Sequence, residues 1–182
     1  MGDERVRAVL GRGFVAVCPG ARWNTKRWRI DRFTVLVQKL LAEGEAVVLL
    51  GSPDEKRVCD EIERAIRGGG RENAGLCNLA GRTDLGTMIA VLARSRLVIA
   101  HDSGPIHLAA ALGKEVVAIY GPTAPAYAAP YGRVEQVVRH EVPCHPCRRR
   151  ECGHHSCMNG LTVEVVWEKT RGVIKKRSQA EA

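Results

Sequence analysis

The chain lacks any long apolar run. No stretch approaches the ~20 apolar residues that a membrane-spanning helix needs, and residues 1–12 contain no apolar core of the kind found in signal peptides. These two absences predict a cytoplasmic protein. They leave open a peripheral contact with a membrane surface.

Aromatic residues are also scarce, at 4% of the 182 residues, whereas 45% of the chain is hydrophobic. The core must therefore consist mostly of Val, Leu, Ile and Ala, a composition that suits a parallel sheet covered by helices. A chain of this length has room for one such domain rather than two. The sequence contains no internal repeat and no low-complexity segment.

Two well-known nucleotide-binding signatures are absent as well. There is no G-x-x-x-x-G-K-[ST] phosphate loop, and no G-x-G-x-x-G follows the first apolar run. Nor does any Ser, His and Asp set have the context of a nucleophile elbow. The missing glycine motifs argue against an ordinary nucleoside triphosphatase and against a nicotinamide dehydrogenase.

Acidic residues are outnumbered, since 28 Lys and Arg against 20 Asp and Glu give a formal net charge of +8. Such a balance favours an anionic partner, namely nucleic acid, a phospholipid surface or a phosphorylated substrate. The alternative is a basic surface that is merely solvated. Charge alone does not separate these two interpretations.

Short apolar runs recur along the chain and end in glycine- or proline-rich loops. We predict five buried strands and one edge strand: 14–18, 46–50, 77–80, 97–100, 116–120 and 134–138. Helical spacing lies between them, and a final helix is predicted over 163–176. Strands that alternate with helices indicate an α/β fold, a Rossmann-like parallel sheet with helices on both faces. The domain is expected over 14–176, with a frayed tail at 177–182.

The loop after the fourth strand carries the most informative residues. Ser103 and Gly104 open a helix, so their backbone N–H groups are free to bind an anion. His107 lies about one helical turn further on, from where its side chain can reach the same anion. Asp102 is suited to accept hydrogen bonds from sugar hydroxyls. The alternative is an ordinary strand–turn–helix in which Asp102 caps the helix and His107 is packed.

Two further loops carry candidate binding residues. Lys26 and Arg27 follow a Pro-Gly turn after the first strand, where a lysine neutralises a diphosphate and an arginine grips it with two hydrogen bonds. Glu55, after the second strand, has the chemistry to bind a ribose diol. The alternatives are a solvated basic loop and a carboxylate that only stabilises the first turn of a helix.

Read together, these segments resemble the C-terminal domain of glycosyltransferase family 9, which includes the heptosyltransferases of the lipopolysaccharide inner core. The match spans 15–173, and its most specific part is the D-[ST]-G-x-x-H element. The residues that carry it are PGARWNTKRW (19–28), LLGSPDE (49–55), NLAGRTDL (78–85), HDSGPIHLAAALG (101–113) and IYGPTAP (119–125).

The resemblance implies the C-terminal half of a GT-B glycosyltransferase, which binds the nucleotide-sugar donor, here ADP-heptose. It implies metal-independent transfer with inversion at the sugar, no cofactor and no metal ligands. The implied catalytic residues are Lys26, Asp102 and His107, and the implied donor-binding residues are Lys26, Arg27, Glu55, Thr83, Leu85, Asp102, Ser103, Gly104 and His107. Within that set, the diphosphate is expected to be held by Lys26, Ser103, Gly104 and His107. Glu55 is expected to bind the ribose, the segment from Thr83 to Leu85 to border the adenine, and Asp102 to hold the sugar.

One departure from the family is large. Its N-terminal domain, which binds the acceptor and supplies a general base, has no counterpart in residues 1–13, which resemble a remnant of the interdomain linker. The expected partners are the donor, a phosphorylated lipid A-core acceptor at the inner membrane and a separate N-terminal acceptor domain. We do not expect full transferase activity from this chain alone.

Four of the seven cysteines, Cys144, Cys147, Cys152 and Cys157, lie within fourteen residues in a Cys-rich loop at 140–160. Tetrahedral zinc is chemically reasonable there, a [4Fe–4S] cluster is a less favoured candidate, and a reduced surface loop is the alternative, so we assign no metal ligands. Two other functions stay open at this point: another GT-B-like nucleotide-sugar enzyme such as an epimerase, and a zinc-dependent nucleic-acid-binding module. The second is disfavoured because the loop has no aromatic residues for base stacking, so no nucleic acid partner is expected.

Overall fold

The computed structural model describes residues 2–11, 13–68 and 75–180. Its centre is one sheet of six strands, in which every neighbouring pair is parallel and the spatial order is β3-β2-β1-β4-β5-β6. The strands are β1 Phe14–Cys18, β2 Ala46–Leu49, β3 Leu76–Asn78, β4 Leu97–His101, β5 Glu115–Tyr120 and β6 Val137–Arg139. The predicted doubly wound α/β fold is confirmed.

Helices cover both faces of this sheet, and glycines end two of them. Gly44 and Gly113 follow their helices with φ of +84° and +71°, a backbone conformation that glycine adopts without strain. The helices are α1 Gly2–Gly11, α2 Ile30–Ala42, α3 Lys56–Arg67, α4 Leu85–Arg94, α5 Gly104–Ala111, α6 Pro125–Ala128, α7 Ser156–Asn159 and α8 Val163–Ala180.

The hydrophobic core has two layers, one on each side of the sheet. Along β1, Val15 and Val17 pack into one layer, whereas Phe14, Ala16 and Cys18 pack into the other. This division follows from the period of two in a strand, which directs successive side chains to opposite faces. Because both faces are buried, β1 and β2 are apolar throughout rather than alternating.

The last strand differs from the prediction, and both ends of the described chain are helical. The predicted linker segment is helical over 2–11, and Val9 packs into the core. The predicted frayed tail is helical as far as Ala180, and 181–182 lie outside the described residues. The edge strand begins at Val137 rather than Val134, because Gln136 ends a 3-10 turn and its side chain, instead of its backbone, accepts the N–H of Val116.

The order of the strands locates the place where a ligand binds in such a fold. The chain order reverses between β1 and β4, which are neighbours in the sheet. Ligands of open parallel sheets bind in the crevice outside the carboxyl ends of the strands at this switch point. Within the described residues, no helix is long and apolar enough to cross a membrane.

Candidate functional site

A buried histidine holds the loop that follows β1. His101, the last residue of β4, accepts the backbone N–H of Trp28 at Nε2 (2.8 Å) and lies 3.1 Å from the carbonyl of Gly20 through Nδ1. A carbonyl only accepts, so Nδ1 carries the proton and the ring is neutral. Burial lowers the pKa of His101 to about 4. The neutral ring thereby fixes both ends of the 20–28 loop against the end of β4.

Aromatic packing fixes the far end of the same loop. Trp28 is 2% exposed and its indole donates to the carbonyl of Leu161 (2.8 Å). Phe33, on α2, meets both Trp28 and His101 edge-on, with ring centroids 5.1 and 5.2 Å apart. Such edge-to-face contacts add to the burial of the rings themselves. The loop that carries Lys26 is therefore anchored in the core at its base.

The centre of the site is an ion pair across the switch point. Lys26 lies at the end of a 3-10 turn, and its Nζ is 2.5 Å from Oδ2 of Asp102, the residue after β4. The same ammonium donates to the Asp102 carbonyl at 3.2 Å. Thr123, beyond β5, donates its hydroxyl to Oδ2 at 2.7 Å. Three neighbouring strands, β1, β4 and β5, thus supply one connected polar cluster.

Asp102 stays ionised despite being only 6% exposed. Burial alone raises the pKa of a carboxyl group, but the hydrogen bonds from Lys26 and Thr123 outweigh it and hold the pKa of Asp102 below its usual range. The ring of His107 adds a weaker contact, with Nε2 at 3.4 Å from Oδ1. The carboxylate is therefore a fixed acceptor with one charge opposite it.

The start of α5 lies directly beside this ion pair. Ser103 is extended and makes no side-chain cap, while Pro105 occupies the first turn, where it needs no N–H. The first N–H groups of a helix have no acceptor within it, and a Cβ on Gly104 would meet nothing within 4 Å. The structure thus leaves the helix start open to a ligand. It does not support the alternative in which Asp102 caps the helix.

Glu55 has a local structural role at the edge of the same crevice. Its Oε2 accepts the N–H of Ser52 (2.9 Å) in a capping box before α3, so the first-turn carboxylate that we considered is what the structure contains. Its carboxyl group also packs against Gly20, where a Cβ would approach Glu55 Cδ to 2.1 Å. Gly20 is needed here because any larger residue would displace Glu55.

Besides Glu55, three predicted donor-binding residues lie away from the ion pair. Arg27 is exposed, and its Nε donates to the carbonyl of Ala21 (2.8 Å). Thr83 and Leu85 flank the start of α4 beyond β3, which is two strands away from β1, and Leu85 is 63% exposed. All three residues follow the carboxyl ends of strands, as Asp102 does, but none of their described hydrogen bonds reaches Asp102.

Sequence reasoning missed three residues of the site. Thr123 and His101 occur in the sequence match only within the segments IYGPTAP and HDSGPIHLAAALG, with no role of their own. Trp23 occurs in the sequence match only within the segment PGARWNTKRW, yet the Lys26 ammonium lies over its ring, 4.6 Å from the centroid. A histidine that closes an apolar run such as LVIAH was the one available signal, because a buried polar side chain needs partners.

The cysteines are all free thiols in the described part of the chain. Burial raises the pKa of Cys59 to about 12 and also raises that of Cys18, so both are weak nucleophiles. In the Cys-rich loop, Cys144 is exposed and Cys157 is buried. Among the described residues, no group of three or more His, Cys, Asp and Glu is arranged to hold a metal ion.

Comparison with known proteins decides the family. The model of glycosyltransferase family 9 (heptosyltransferase) matches residues 3–157. The chain belongs to this family of glycosyltransferases. The resemblance expected from the strand-end loops is therefore confirmed.

Individual relatives agree with this assignment. Lipooligosaccharide heptosyltransferase 2 of Haemophilus influenzae is 34% identical over 95% of this chain and 51% of its own length. Lipopolysaccharide heptosyltransferase 2 of Escherichia coli K12 is 32% identical over 90% of this chain and 47% of its own. The structure of E. coli ADP-heptose LPS heptosyltransferase II superposes with a TM-score of 0.80 at 27% identity and covers 98% of this chain and 53% of that one. The chain thus spans about half the length of these relatives.

Proposed function

We propose that this chain binds the ADP-heptose donor for heptosyl transfer to the lipopolysaccharide inner core. The observation that carries the proposal is the Lys26–Asp102 pair at the switch point, with the open start of α5 beside it. One cation and a helix start next to each other suit a diphosphate. The similar E. coli protein, named as an ADP-heptose LPS heptosyltransferase, supports the same donor.

In this proposal, the diphosphate lies against the amides of Ser103 and Gly104, and Lys26 and His107 donate to its oxygens. Negative charge builds up on the diphosphate as the sugar leaves, and fixed donors stabilise that charge without reorganising. They do here what Mg²⁺ does in other transferases, so the reaction is proposed to need no metal. Asp102, ionised and fixed by Thr123, accepts hydrogen bonds from the hydroxyls of the sugar.

The nucleoside is proposed to extend across the β1, β2 and β3 ends of the sheet. Glu55 packs against Gly20 at the near end of that path and keeps one carboxylate oxygen, Oε1, for a ribose hydroxyl. Thr83 and Leu85 lie at the far end, where an exposed leucine offers an apolar surface for adenine. Arg27 is proposed to contact the donor from the rim of the site.

The general base and most of the acceptor site are proposed to belong to a separate N-terminal domain that faces this one. The acceptor is a phosphorylated lipid A-core, and contact with the cytoplasmic face of the inner membrane is part of the same proposal. Transfer then requires both domains, while donor binding requires only this chain. An epimerase of related build would share the crevice but would prefer another nucleotide.

The test is isothermal titration calorimetry of the chain with ADP-heptose, ADP and UDP, each with and without EDTA. We expect binding of ADP-heptose and ADP that EDTA leaves unchanged, and at least tenfold weaker binding of UDP. Lys26→Ala and His107→Ala should weaken ADP binding. Lys39→Ala is the matched control, because Lys39 also lies over a tryptophan, Trp167, but on α2 at 5.7 Å and away from the site. Equal affinities for wild type and Lys26→Ala would refute the proposal.

A further inference from the structure

The Cys-rich loop folds over the donor loop rather than into solvent. Its segment 142–155, called here the arginine loop, contains no helix or strand. Thr25, next to Lys26, donates its hydroxyl to the carbonyl of Arg149 (2.7 Å), and His155 Nε2 donates to the carbonyl of Thr25 (2.9 Å). Two hydrogen bonds to one buried residue hold the arginine loop against the loop that carries the proposed diphosphate cation.

A second pair of hydrogen bonds ties the arginine loop to the end of β5. The N–H of Arg148 donates to the carbonyl of Pro122 (2.9 Å), and His145 Nε2 donates to the carbonyl of Thr123 (2.9 Å). Thr123 is the residue whose hydroxyl binds Asp102. The arginine loop is therefore fixed on two sides of the ion pair.

One arginine of this loop shares an aromatic ring with Lys26. The guanidinium of Arg150 lies 4.9 Å from the ring centroid of Trp23, and the Lys26 ammonium lies 4.6 Å from the same centroid. The negative face of an indole attracts both cations. Arg150 is exposed, whereas the Lys26 side chain is only 16% exposed, so Arg150 is the outer cation of the two.

The charge on Arg150 has no counterpart in the described part of the chain. Asp102 offsets the charge of Lys26, but none of the described ion pairs includes the exposed side chains of Arg148, Arg149 or Arg150. A planar guanidinium held on a ring is prepared to grip a phosphate with two hydrogen bonds. Arg148 and Arg149 precede Arg150 in the same loop, so the loop presents three exposed guanidinium groups beside the ion pair.

We propose that Arg150, held by Trp23 and flanked by Arg148 and Arg149, binds a phosphate group of the acceptor. This inference rests on the proposed function, because it takes the inner cation, Lys26, to be occupied by the donor diphosphate. The outer cation then meets the substrate that approaches from solvent. Arg150 is a binding residue in this scheme, and Trp23 positions it.

The experiment uses the full chain and two probes. Mannose 6-phosphate, a sugar phosphate monoester, is titrated by calorimetry with and without saturating ADP, and unphosphorylated mannose is the blank. We expect wild type to bind mannose 6-phosphate and not mannose. Arg150→Ala should weaken this binding about tenfold, as the loss of a charged hydrogen-bond pair does, while ADP affinity stays within twofold. Arg150→Lys keeps the positive charge but loses the two parallel N–H donors of the guanidinium, so its affinity for mannose 6-phosphate should lie between those of wild type and Arg150→Ala.

Two controls separate the role of Arg150 from overall charge and from folding. Arg171→Ala removes one exposed positive charge from α8 and should change nothing. Trp23→Leu should weaken mannose 6-phosphate binding because the guanidinium of Arg150 no longer has an indole ring to lie on. Trp167→Leu, the control, should not. Loss of ADP binding in Arg150→Ala equal to that in Lys26→Ala would assign Arg150 to the donor and overturn the inference.

A further experiment tests whether the phosphate group that Arg150 binds belongs to a lipid headgroup. Sedimentation with phosphatidylcholine vesicles containing phosphatidylglycerol measures binding to an anionic lipid surface. Vesicle binding that depends on Arg150, without binding of mannose 6-phosphate, would contradict the inference in favour of a lipid surface. Wild type that binds ADP but no sugar phosphate would refute this inference alone, whereas a chain that binds sugar phosphate but no ADP would refute the proposed donor function.

Discussion

Replacing Lys26 with Met should reverse the sign with which Asp102 makes the free energy of unfolding depend on pH. In the wild type, Asp102 has a folded-state pKa below its usual value of about 3.9. Its contribution to stability is therefore fully present at neutral pH and is lost only as the pH falls through the folded pKa, below about 4. Removing the ammonium leaves a buried carboxylate with Thr123 and His107 as its remaining contacts.

The magnitude follows from the burial of the pair. Removing one partner of a buried ion pair costs about 3–5 kcal/mol. Because Lys26 is 16% exposed and Thr123 still donates to Asp102, we expect Lys26→Met to lose about 2 kcal/mol of unfolding free energy at pH 7. Burial then raises the pKa of Asp102 above its usual range, so the deficit should shrink as the pH falls towards 5 and the carboxyl group takes up a proton.

The assay is urea unfolding of wild type and variants at a series of pH values from 7.5 to 5. Comparison with wild type cancels the pH dependence of other groups. The double variant Lys26→Met/Asp102→Asn carries no buried charge, so it should recover part of the loss and show a deficit that does not change with pH. Lys39→Met controls for the loss of a lysine over a tryptophan. A deficit in Lys26→Met that stays constant across this range would refute the reasoning.

Three further outcomes are expected. Because His101 is buried and neutral with a folded pKa of about 4 against 6.5 when unfolded, stability is complete above pH 6.5 and should fall as the pH drops towards 4, by at most about 1.4 kcal/mol per unit; His101→Gln should lose that slope in urea unfolding. Gly20→Ala would force a Cβ onto the Glu55 carboxyl group, so it should cost about 1–3 kcal/mol in the same assay and weaken ADP binding. Iodoacetamide should label exposed Cys144 in the native protein and reach buried Cys18 only on unfolding, as followed by peptide mass spectrometry.

Local patterns were enough to predict the central strands of the sheet and the ends of two helices. The apolar runs ending in Cys18 and Tyr120 are strands because both faces of the sheet are buried, and Gly44 and Gly113 end helices because their backbones need positive φ. The limits of the edge strand were wrong, since the side chain of Gln136 replaces a backbone partner that no sequence period reveals.

The composition of the site was predictable, but its partnerships were not. Lys26 and Asp102 were both expected in the crevice because parallel strands end at one edge. Their mutual ion pair joins residues 76 positions apart and depends on β1 and β4 being neighbours. The stacking of Arg150 on Trp23 was equally unpredictable from the sequence. The loop that carries Arg150 is irregular, and the tertiary contacts of Thr25 and His155 set its position.

A groove away from the switch point provides an internal comparison for ligand binding. It has a volume of about 860 Å³ and lies between β6 and α8, lined by residues that include Val137, Lys169 and Gly172. Glu115, Glu135 and Glu168 line it together with Arg139, Lys169 and Lys176, so its lining has no excess of positive charge for a diphosphate. We therefore expect a diphosphate to bind at the start of α5 and not in this groove.

The central claim is that a diphosphate binds at the start of α5 beside Lys26. The most direct test is a ¹H–¹⁵N correlation spectrum of the labelled chain, titrated with inorganic pyrophosphate and then with ADP. The amide resonances of Ser103, Gly104 and His107 should move most with both ligands, and those of Lys169 and Gly172 in the groove should not move. Largest shifts in the groove, or unmoved Ser103 and Gly104 amides at saturation, would contradict the account.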